Sequence, residues 1–221
     1  MIAVVVAMEK EAKDFLNIIN IKEEKEIAGK RIVVGNLMGK DLVVGVAGIG
    51  KVNVALTTQL IIDNFNPSCV VNFGLAGGKG KNDFKVGDIV LVEKACQYDF
   101  DLSELDDVEI GYMQDYDTVY YPLDVETLKD FNYPLVKCAT ADRFTNKEYF
   151  LEVIKNIGGQ ISDMELGAIA QVCLANKTKL ISIKLISDAD GEEKSIFDQY
   201  YNNLDYVSVL AEEVKKVIEK L

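Results

Sequence analysis

Three acidic side chains stand where this sequence predicts that a strand gives way to a turn or a helix. Glu11 follows the first apolar run, Glu165 leads into a predicted helix, and Asp188 ends the apolar run of residues 180–186. The chain contains no histidine, the commonest general acid or base in proteins. A Ser-His-Asp or Cys-His site within this chain is therefore excluded, and proton transfer falls to Asp, Glu, Lys, Tyr or Cys.

Each of these carboxylates also has an ordinary structural role open to it. Glu9 and Glu11 lie at a predicted strand-to-helix turn, where acidic residues complement the helix dipole, and Glu165 fits the same role. Asp188 on its own is typical of an N-cap or an Asx turn. Each segment taken alone favours the structural role. A catalytic role requires the carboxylates to meet in a crevice at the ends of the strands, where open α/β sheets bind ligands.

The composition predicts one globular domain spanning residues 1–221. Of these residues, 49% are hydrophobic, which supplies a large core, and 27% are charged, which does not indicate disorder. The net charge is −12, from 36 acidic and 24 basic side chains. A uniformly acidic protein repels phosphate backbones and anionic lipid, so we expect neither nucleic-acid binding nor membrane binding. A neutral or cationic small substrate is compatible with this charge.

The cysteines and the N-terminal residues predict a cytoplasmic protein. None of the cysteines forms a CxxC pair, which is typical of small buried thiols in a reducing compartment. The N-terminus lacks a basic region and Glu9 interrupts its apolar run, so we expect a first strand there and not a signal peptide. No apolar run approaches the length of a membrane span. The four cysteines are Cys69, Cys96, Cys138 and Cys173.

Apolar runs that alternate with helical periodicity predict an α/β protein. Its expected core is a central mixed, mostly parallel twisted sheet flanked by helices. Residues 96–122 are rich in Tyr and Asp without a clear period, so we expect a long loop that forms a lid or a subunit interface. Strands are predicted at residues 2–6, 25–27, 31–37, 42–46, 69–73, 86–92, 135–139 and 180–186, and helices at 12–19, 52–65, 147–155, 168–173 and 204–221.

Two glycine-rich segments follow predicted strands. The spacing Gly45…Gly50-Lys51 imitates a phosphate-binding P-loop, but Val52 stands where a Ser or Thr should hold magnesium. We therefore reject a nucleotide triphosphatase, and expect these glycines to allow a sharp strand-to-helix turn close to a ligand. Residues 74–80 contain four glycines and are a second candidate for a ligand-binding loop.

Six short motifs occur together in an order that is highly specific, although each motif alone is weak. With them the chain resembles the 5′-methylthioadenosine/S-adenosylhomocysteine nucleosidases of the purine nucleoside phosphorylase superfamily. The resemblance covers essentially the whole chain. The motifs are Ala7-Met8-Glu9-Lys10-Glu11, Gly48-Ile49-Gly50-Lys51-Val52, Asn72-Phe73-Gly74-Leu75-Ala76-Gly77-Gly78, Val86-Gly87-Asp88-Ile89-Val90, Asp163-Met164-Glu165 and Ile186-Ser187-Asp188.

The resemblance implies an enzyme that hydrolyses the N-glycosidic bond of an adenine thionucleoside, releasing adenine and a thioribose. It implies a homodimer that binds a small purine nucleoside and needs no cofactor or metal. Glu11 would be the base on the attacking water, and Asp188, beside Ser187, would protonate the purine at N7. Met164 and Glu165 would hold the ribose, with Glu165 bonding its hydroxyl groups.

The resemblance also implies how the base and the alkylthio group are bound. Backbone around Phe144 and Thr145 would read the adenine edge, with Phe144 stacking on the ring. Ile49 and Phe197 would line the apolar pocket. The reaction builds positive charge on the sugar and negative charge on the leaving base, a problem that glycosidases solve with two carboxylates. Asp188 then has to be partly protonated, which burial or a neighbouring anion favours, whereas Glu11 has to stay ionised.

Three positions depart from the family pattern, and two other activities stay open. Leu75 replaces a Ser or Thr, Lys184 replaces an Arg, and Asp163 replaces a Glu; the first two lie near the expected path of the attacking water.

A phosphorolytic enzyme of the same superfamily would need arginine contacts to phosphate, and the chain has only Arg31 and Arg143. A nucleoside-binding protein without turnover is the other alternative, for which Leu75 is the best support.

Overall fold

The computed structural model describes residues 1–79, 84–105, 107–144, 147–189 and 206–221. In these ranges ten strands join one mixed sheet, and helices cover both of its faces. The observed architecture confirms the predicted class, a single α/β domain with a mixed sheet flanked by helices.

The strands within the described ranges follow the order β10-β6-β8-β9-β5-β1-β4-β3-β2, and β7 pairs with β6. Parallel pairing joins β4, β1, β5 and β10 at the centre. Because β10 also pairs with β6, the strands β5, β9, β8, β6 and β10 close into a ring. The strands are β1 (Ile2–Val6), β2 (Asn20–Ile27), β3 (Lys30–Leu37), β4 (Lys40–Val46), β5 (Cys69–Gly78), β6 (Ile89–Gln97), β7 (Tyr121–Pro122), β8 (Leu135–Thr140), β9 (Ile161–Asp163) and β10 (Lys179–Ala189).

Five α-helices lie in the described ranges, and two pairs of them form the outer layers. They are numbered α1 (Glu9–Asn17), α2 (Lys51–Phe65), α3 (Glu148–Asn156), α4 (Leu166–Ala175) and α5 (Val207–Lys220), and 3₁₀ helices lie at Gln114–Tyr116 and Glu126–Phe131. Helices α1 and α5 pack together on one face, and α2 and α4 pack together on the other. In the described ranges, no helix combines the length and the apolar content needed to cross a membrane.

Strand β1 shows why the sequences of the central strands are continuously apolar. Its side chains alternate between the two faces: Val4 and Val6 join the core beneath α1 and α5, whereas Ala3 and Val5 join the core beneath α2 and α4. All four are at most slightly exposed, because both faces of the strand are covered. This arrangement fixes the carboxyl end of β1 between those of β4 and β5.

Two of the strands that end at the cleft, β5 and β10, run further than the sequence predicted. The glycine-rich residues 74–78 were expected to form a loop, but they continue β5 and pair with β10. The apolar run of residues 180–186 was expected to end at a corner, but β10 continues to Ala189. Its pairing with β5 shifts register between Ile186 and Asp188. This irregularity changes the alternation of side chains where Asp188 stands.

Part of the Tyr- and Asp-rich segment belongs to the core. Tyr98 and Tyr121 are buried, and the Tyr116 ring packs edge-on against Tyr121 with centroids 6.0 Å apart. The prediction of one long loop was wrong at both ends, because β6 extends to Gln97 and β7 begins at Tyr121. Aromatic rings in this segment therefore anchor it to the sheet.

Candidate active site

A cleft opens where β1, β5 and β10 reach their carboxyl ends. The three predicted carboxylates line this one cleft, although they lie far apart in the chain. Thr145 and Phe197 lie outside the described residues. The other predicted site residues all line the cleft: Glu11, Ile49, Phe144, Met164, Glu165, Ser187 and Asp188.

Glu11 is held by two backbone N–H groups. In the first turn of α1, its Oε2 accepts a hydrogen bond from the Met8 N–H at 3.1 Å, which is the helix-terminal role that the sequence allowed. Its Oε1 accepts from the Leu75 N–H at 3.0 Å. A Cβ placed on Gly74 would lie 3.0 Å from Oε1, so a glycine here leaves room for the carboxylate. Glu9, by contrast, is exposed and pairs with Arg31.

Asp188 is buried between a hydroxyl and an ammonium group. The Ser187 hydroxyl donates to Oδ1 at 2.6 Å, and the Lys79 Nζ lies 3.7 Å from Oδ2. Burial was expected and is observed, at 3% exposed. A neighbouring anion was the other expectation for this position, but the charged neighbour that the structure shows is the Lys79 cation. Sequence reasoning missed Lys79, whose only signal was its place after two glycines.

Glu165 lies at the N-terminus of α4 and contacts the glycine turn before α2. The Gly50 N–H donates to its Oε1 at 2.9 Å, and the Met164 N–H donates to its Oε2 at 3.2 Å. Gly50 has a φ of 97°, a conformation that favours glycine. The backbone N–H that a P-loop would offer to phosphate is therefore bound to a carboxylate of the chain itself.

Burial raises the pKa of both Glu11 and Glu165. For Glu11 the loss of water is partly offset by the Leu75 N–H and by the positive charge of Lys184, and its pKa stays above the usual value. For Glu165 burial and the negative charge of Asp163 raise the pKa to about 7. Glu165 can therefore hold or release a proton near neutral pH, which suits general acid–base chemistry.

Apolar side chains complete the cleft. Phe144 and Ile49 are about half exposed, at 47% and 51%, and lie where a bound molecule would cover them. Met8 and Met164 also line the cleft, together with the buried Leu75. The sequence marked Leu75 as a departure, and the structure shows that its backbone supports Glu11 while its side chain adds apolar surface. The cleft therefore suits a flat or apolar ligand with a few polar groups.

The other two departures meet in a buried ion pair. Lys184 Nζ lies 2.8 Å from Asp163 Oδ2, and both side chains are almost completely buried. Asp163 also accepts hydrogen bonds from the Thr140 hydroxyl and the Leu166 N–H. Burial alone would raise the pKa of Asp163, but Lys184 and these donors leave it lowered. Glu11 and Glu165 each interact electrostatically with both charges of this pair.

Removing the Lys184 charge is expected to destabilise the protein strongly. Lys184→Met leaves Asp163 buried without its cation, and breaking a buried pair in this way costs about 3–5 kcal/mol. Lys179→Met is the matched control on the same strand, because its pair with Asp124 is half exposed and is worth about 0–1 kcal/mol. Urea unfolding measures both. Equal losses of unfolding free energy in the two variants would show that the buried pair is no more stabilising than the exposed one.

Known proteins match this chain over most or all of its length. The family model described as the phosphorylase superfamily matches residues 1–219. A 5′-methylthioadenosine/S-adenosylhomocysteine nucleosidase from Oceanobacillus iheyensis is 32% identical over 210 residues, covering 90% of this chain and 91% of the relative. A solved nucleosidase of that name from Neisseria meningitidis, in complex with methylthio-immucillin-A, is 26% identical. Its TM-score is 0.87, and the match covers 100% of this chain and 99% of the other.

A second solved structure gives the same result. A putative nucleosidase of this name from Borrelia burgdorferi, bound to adenine, is 29% identical with a TM-score of 0.89, and the match covers 100% of both chains. This chain belongs to the phosphorylase superfamily and, within it, to the family of 5′-methylthioadenosine/S-adenosylhomocysteine nucleosidases. The resemblance drawn from the sequence motifs is thereby confirmed.

Proposed function

We propose that this protein hydrolyses the N-glycosidic bond of adenine nucleosides such as 5′-methylthioadenosine and S-adenosylhomocysteine, releasing adenine and a thioribose. The observation that carries the proposal is the convergence of Glu11, Glu165 and Asp188 on one partly apolar cleft. The relatives named above support the choice of substrate. Residues 1–221 act in this proposal as one nucleoside-cleaving domain.

In this proposal Glu11 and Asp188 carry out different steps of the reaction. Glu11 takes a proton from a water molecule whose oxygen attacks C1′ of the sugar, and the bond from C1′ to N9 of the base breaks. Asp188 gives a proton to N7, so that the base leaves neutral, while Ser187 fixes the carboxyl by its hydrogen bond. One water is consumed for each nucleoside. A positioned acid or base typically contributes about 10²–10⁴-fold in rate.

The remaining side chains bind and orient the substrate in this proposal. Glu165 already accepts one backbone N–H on each oxygen, and each oxygen has a further lone pair for a ribose hydroxyl. Met164 lies against the sugar, and Phe144 stacks on the purine. Ile49 covers the alkylthio end of the cleft. We assign Thr145 to the edge of the base and Phe197 to the alkylthio pocket on the family resemblance alone.

Phosphorolysis is the second candidate, because Arg143 is one of the residues lining the cleft. Its guanidinium lies 4.0 Å from the Phe150 ring centroid, a cation–π contact that accounts for its position without a ligand. Adenine release from 5′-methylthioadenosine, measured with and without inorganic phosphate, separates the two reactions. We expect equal rates, whereas release only with phosphate would establish a phosphorylase. Binding of the nucleoside without any release would establish a non-catalytic binding protein.

The raised pKa of Glu165 predicts how stability depends on pH. The folded protein holds this proton up to about pH 7, whereas an unfolded chain loses it near 4.5, so stability falls as pH rises through this window. Glu165→Gln should remove on the order of 2–3 kcal/mol of that fall, and leave the part that has the same sign and comes from Glu11. Urea unfolding of the ligand-free protein from pH 4.5 to 8 tests this. Superimposable pH profiles for wild type and variant would refute it.

We also propose that the protein is a homodimer in the cytoplasm. Three apolar side chains in the glycine turn and on the helix α2 that follows it are exposed, and a second subunit would cover them. The four cysteines are free and buried, which fits a reducing compartment. Sedimentation should give twice the mass of the 24.5 kDa chain; a monomer would refute the assembly. The exposed residues are Ile49, Val52 and Leu56.

A further inference from the structure

Lys79 is a charged group in the cleft that the proposed reaction does not use. It lines the cleft although it is only 4% exposed, and its Nζ faces Oδ2 of Asp188. A Cβ placed on Gly77 would lie 2.7 Å from Asp188 Oδ2 and 2.8 Å from Lys79 Nζ. The carboxylate and the ammonium group therefore face the same small space, which is open because Gly77 has no side chain.

The edge of a purine that carries N7 also carries the substituent at position 6. Adenine presents an acceptor at N7 and a donor amino group at position 6, whereas a 6-oxopurine presents two acceptors, N7 and O6. A lysine ammonium group has only donors. Lys79 stands beside Asp188, the carboxyl that gives its proton to N7. Its ammonium group can therefore donate a hydrogen bond to O6 of a 6-oxopurine, but it cannot accept one from the amino group of adenine.

We propose that the cleft also hydrolyses 6-oxopurine nucleosides, with the Lys79 ammonium donating a hydrogen bond to O6 of the leaving base. The proposal rests on the proposed function, since it takes Asp188 as the group that binds N7. The bonds change as before: C1′ exchanges N9 for the oxygen of water, Glu11 takes the water proton and N7 receives the proton of Asp188. Negative charge that develops on O6 as the bond breaks is stabilised by the fixed cation.

Nucleosides that differ only at position 6 provide the test. Adenosine is compared with inosine, and 5′-methylthioadenosine with 5′-methylthioinosine, by kcat/KM for release of the free base. We expect the wild-type protein to cleave both members of each pair. In Lys79→Met the ratio of 6-oxo to 6-amino activity should fall by about 10–100-fold, which is the effect of losing one hydrogen bond from a charged donor.

Lys137→Met is the control for loss of a partly buried lysine. Its ammonium lies over the Tyr120 ring outside the cleft, and the activity ratio should not change. If Lys79→Met fails to fold, product inhibition of the wild type replaces it: hypoxanthine should bind at least as tightly as adenine, and binding over 100-fold weaker overturns the proposal.

The remaining outcomes separate this proposal from the proposed function. Release of adenine without any release of hypoxanthine overturns the proposal and leaves the adenine nucleosidase intact. Release of neither base overturns both. Release of both bases with an unchanged ratio in Lys79→Met overturns the role of Lys79 as the donor to O6.

Discussion

Asp188→Asn is expected to lower kcat for adenine release by about 10²–10⁴-fold while the protein stays folded. Asparagine has nearly the shape of aspartate, and its amide oxygen still accepts the hydrogen bond that Ser187 now donates at 2.6 Å. The amide has no acidic proton to give to N7, so the base would have to leave with its negative charge. Single-turnover measurement of adenine release detects the loss directly.

The control for this variant is Asp41→Asn, which makes the same change at an exposed surface pair with Lys22. It should keep the wild-type rate. A rate for Asp188→Asn within a few-fold of wild type would mean that the leaving base is protonated by another group or needs no proton, and would remove Asp188 from the catalytic role.

Glu11→Gln is the second change with a large expected effect, again about 10²–10⁴-fold in kcat. The glutamine amide oxygen keeps one of the two backbone hydrogen bonds, from Met8 or from Leu75, but it cannot take a proton from water. Stability should be retained, because the substitution removes a carboxylate whose pKa burial raises. Adenine release and urea unfolding, measured on the same preparation, separate the two effects.

Glu9→Gln is the matched control in the same helical turn. The Glu9 carboxylate pairs with Arg31 at the surface and does not face Leu75, so its loss should leave kcat unchanged. Equal rates in Glu11→Gln and the wild type would show that the attacking water needs no base at this position.

The sequence was sufficient to predict eight of the ten strands in the described ranges, and the short strands β7 and β9 were missed. Continuous apolar runs such as residues 2–6 are typical of strands covered on both faces, and parallel strands bring their carboxyl ends together. Roles for Glu11, Glu165 and Asp188 did not follow from spacing, since each residue also suited a helix terminus or a turn. The ordered family motifs were needed to assign those roles.

The features that the sequence could not supply depend on contacts between distant segments. Lys79 follows two glycines, a pattern that is typical of a turn on the surface. It is buried beside Asp188 because β5 pairs with β10. Lys184 and Asp163 looked like two separate departures from the family pattern, but in space they form one ion pair. Leu75 acts on Glu11 through its backbone N–H, which residue type does not reveal.

The identity of the sugar product tests the central claim most directly. The purified protein is given 5′-methylthioadenosine in buffer that contains phosphate, and the sugar is identified by mass spectrometry. Attack by water activated at Glu11 predicts free thioribose in an amount equal to the adenine released. Thioribose 1-phosphate as the product, or no adenine at all, would contradict the account.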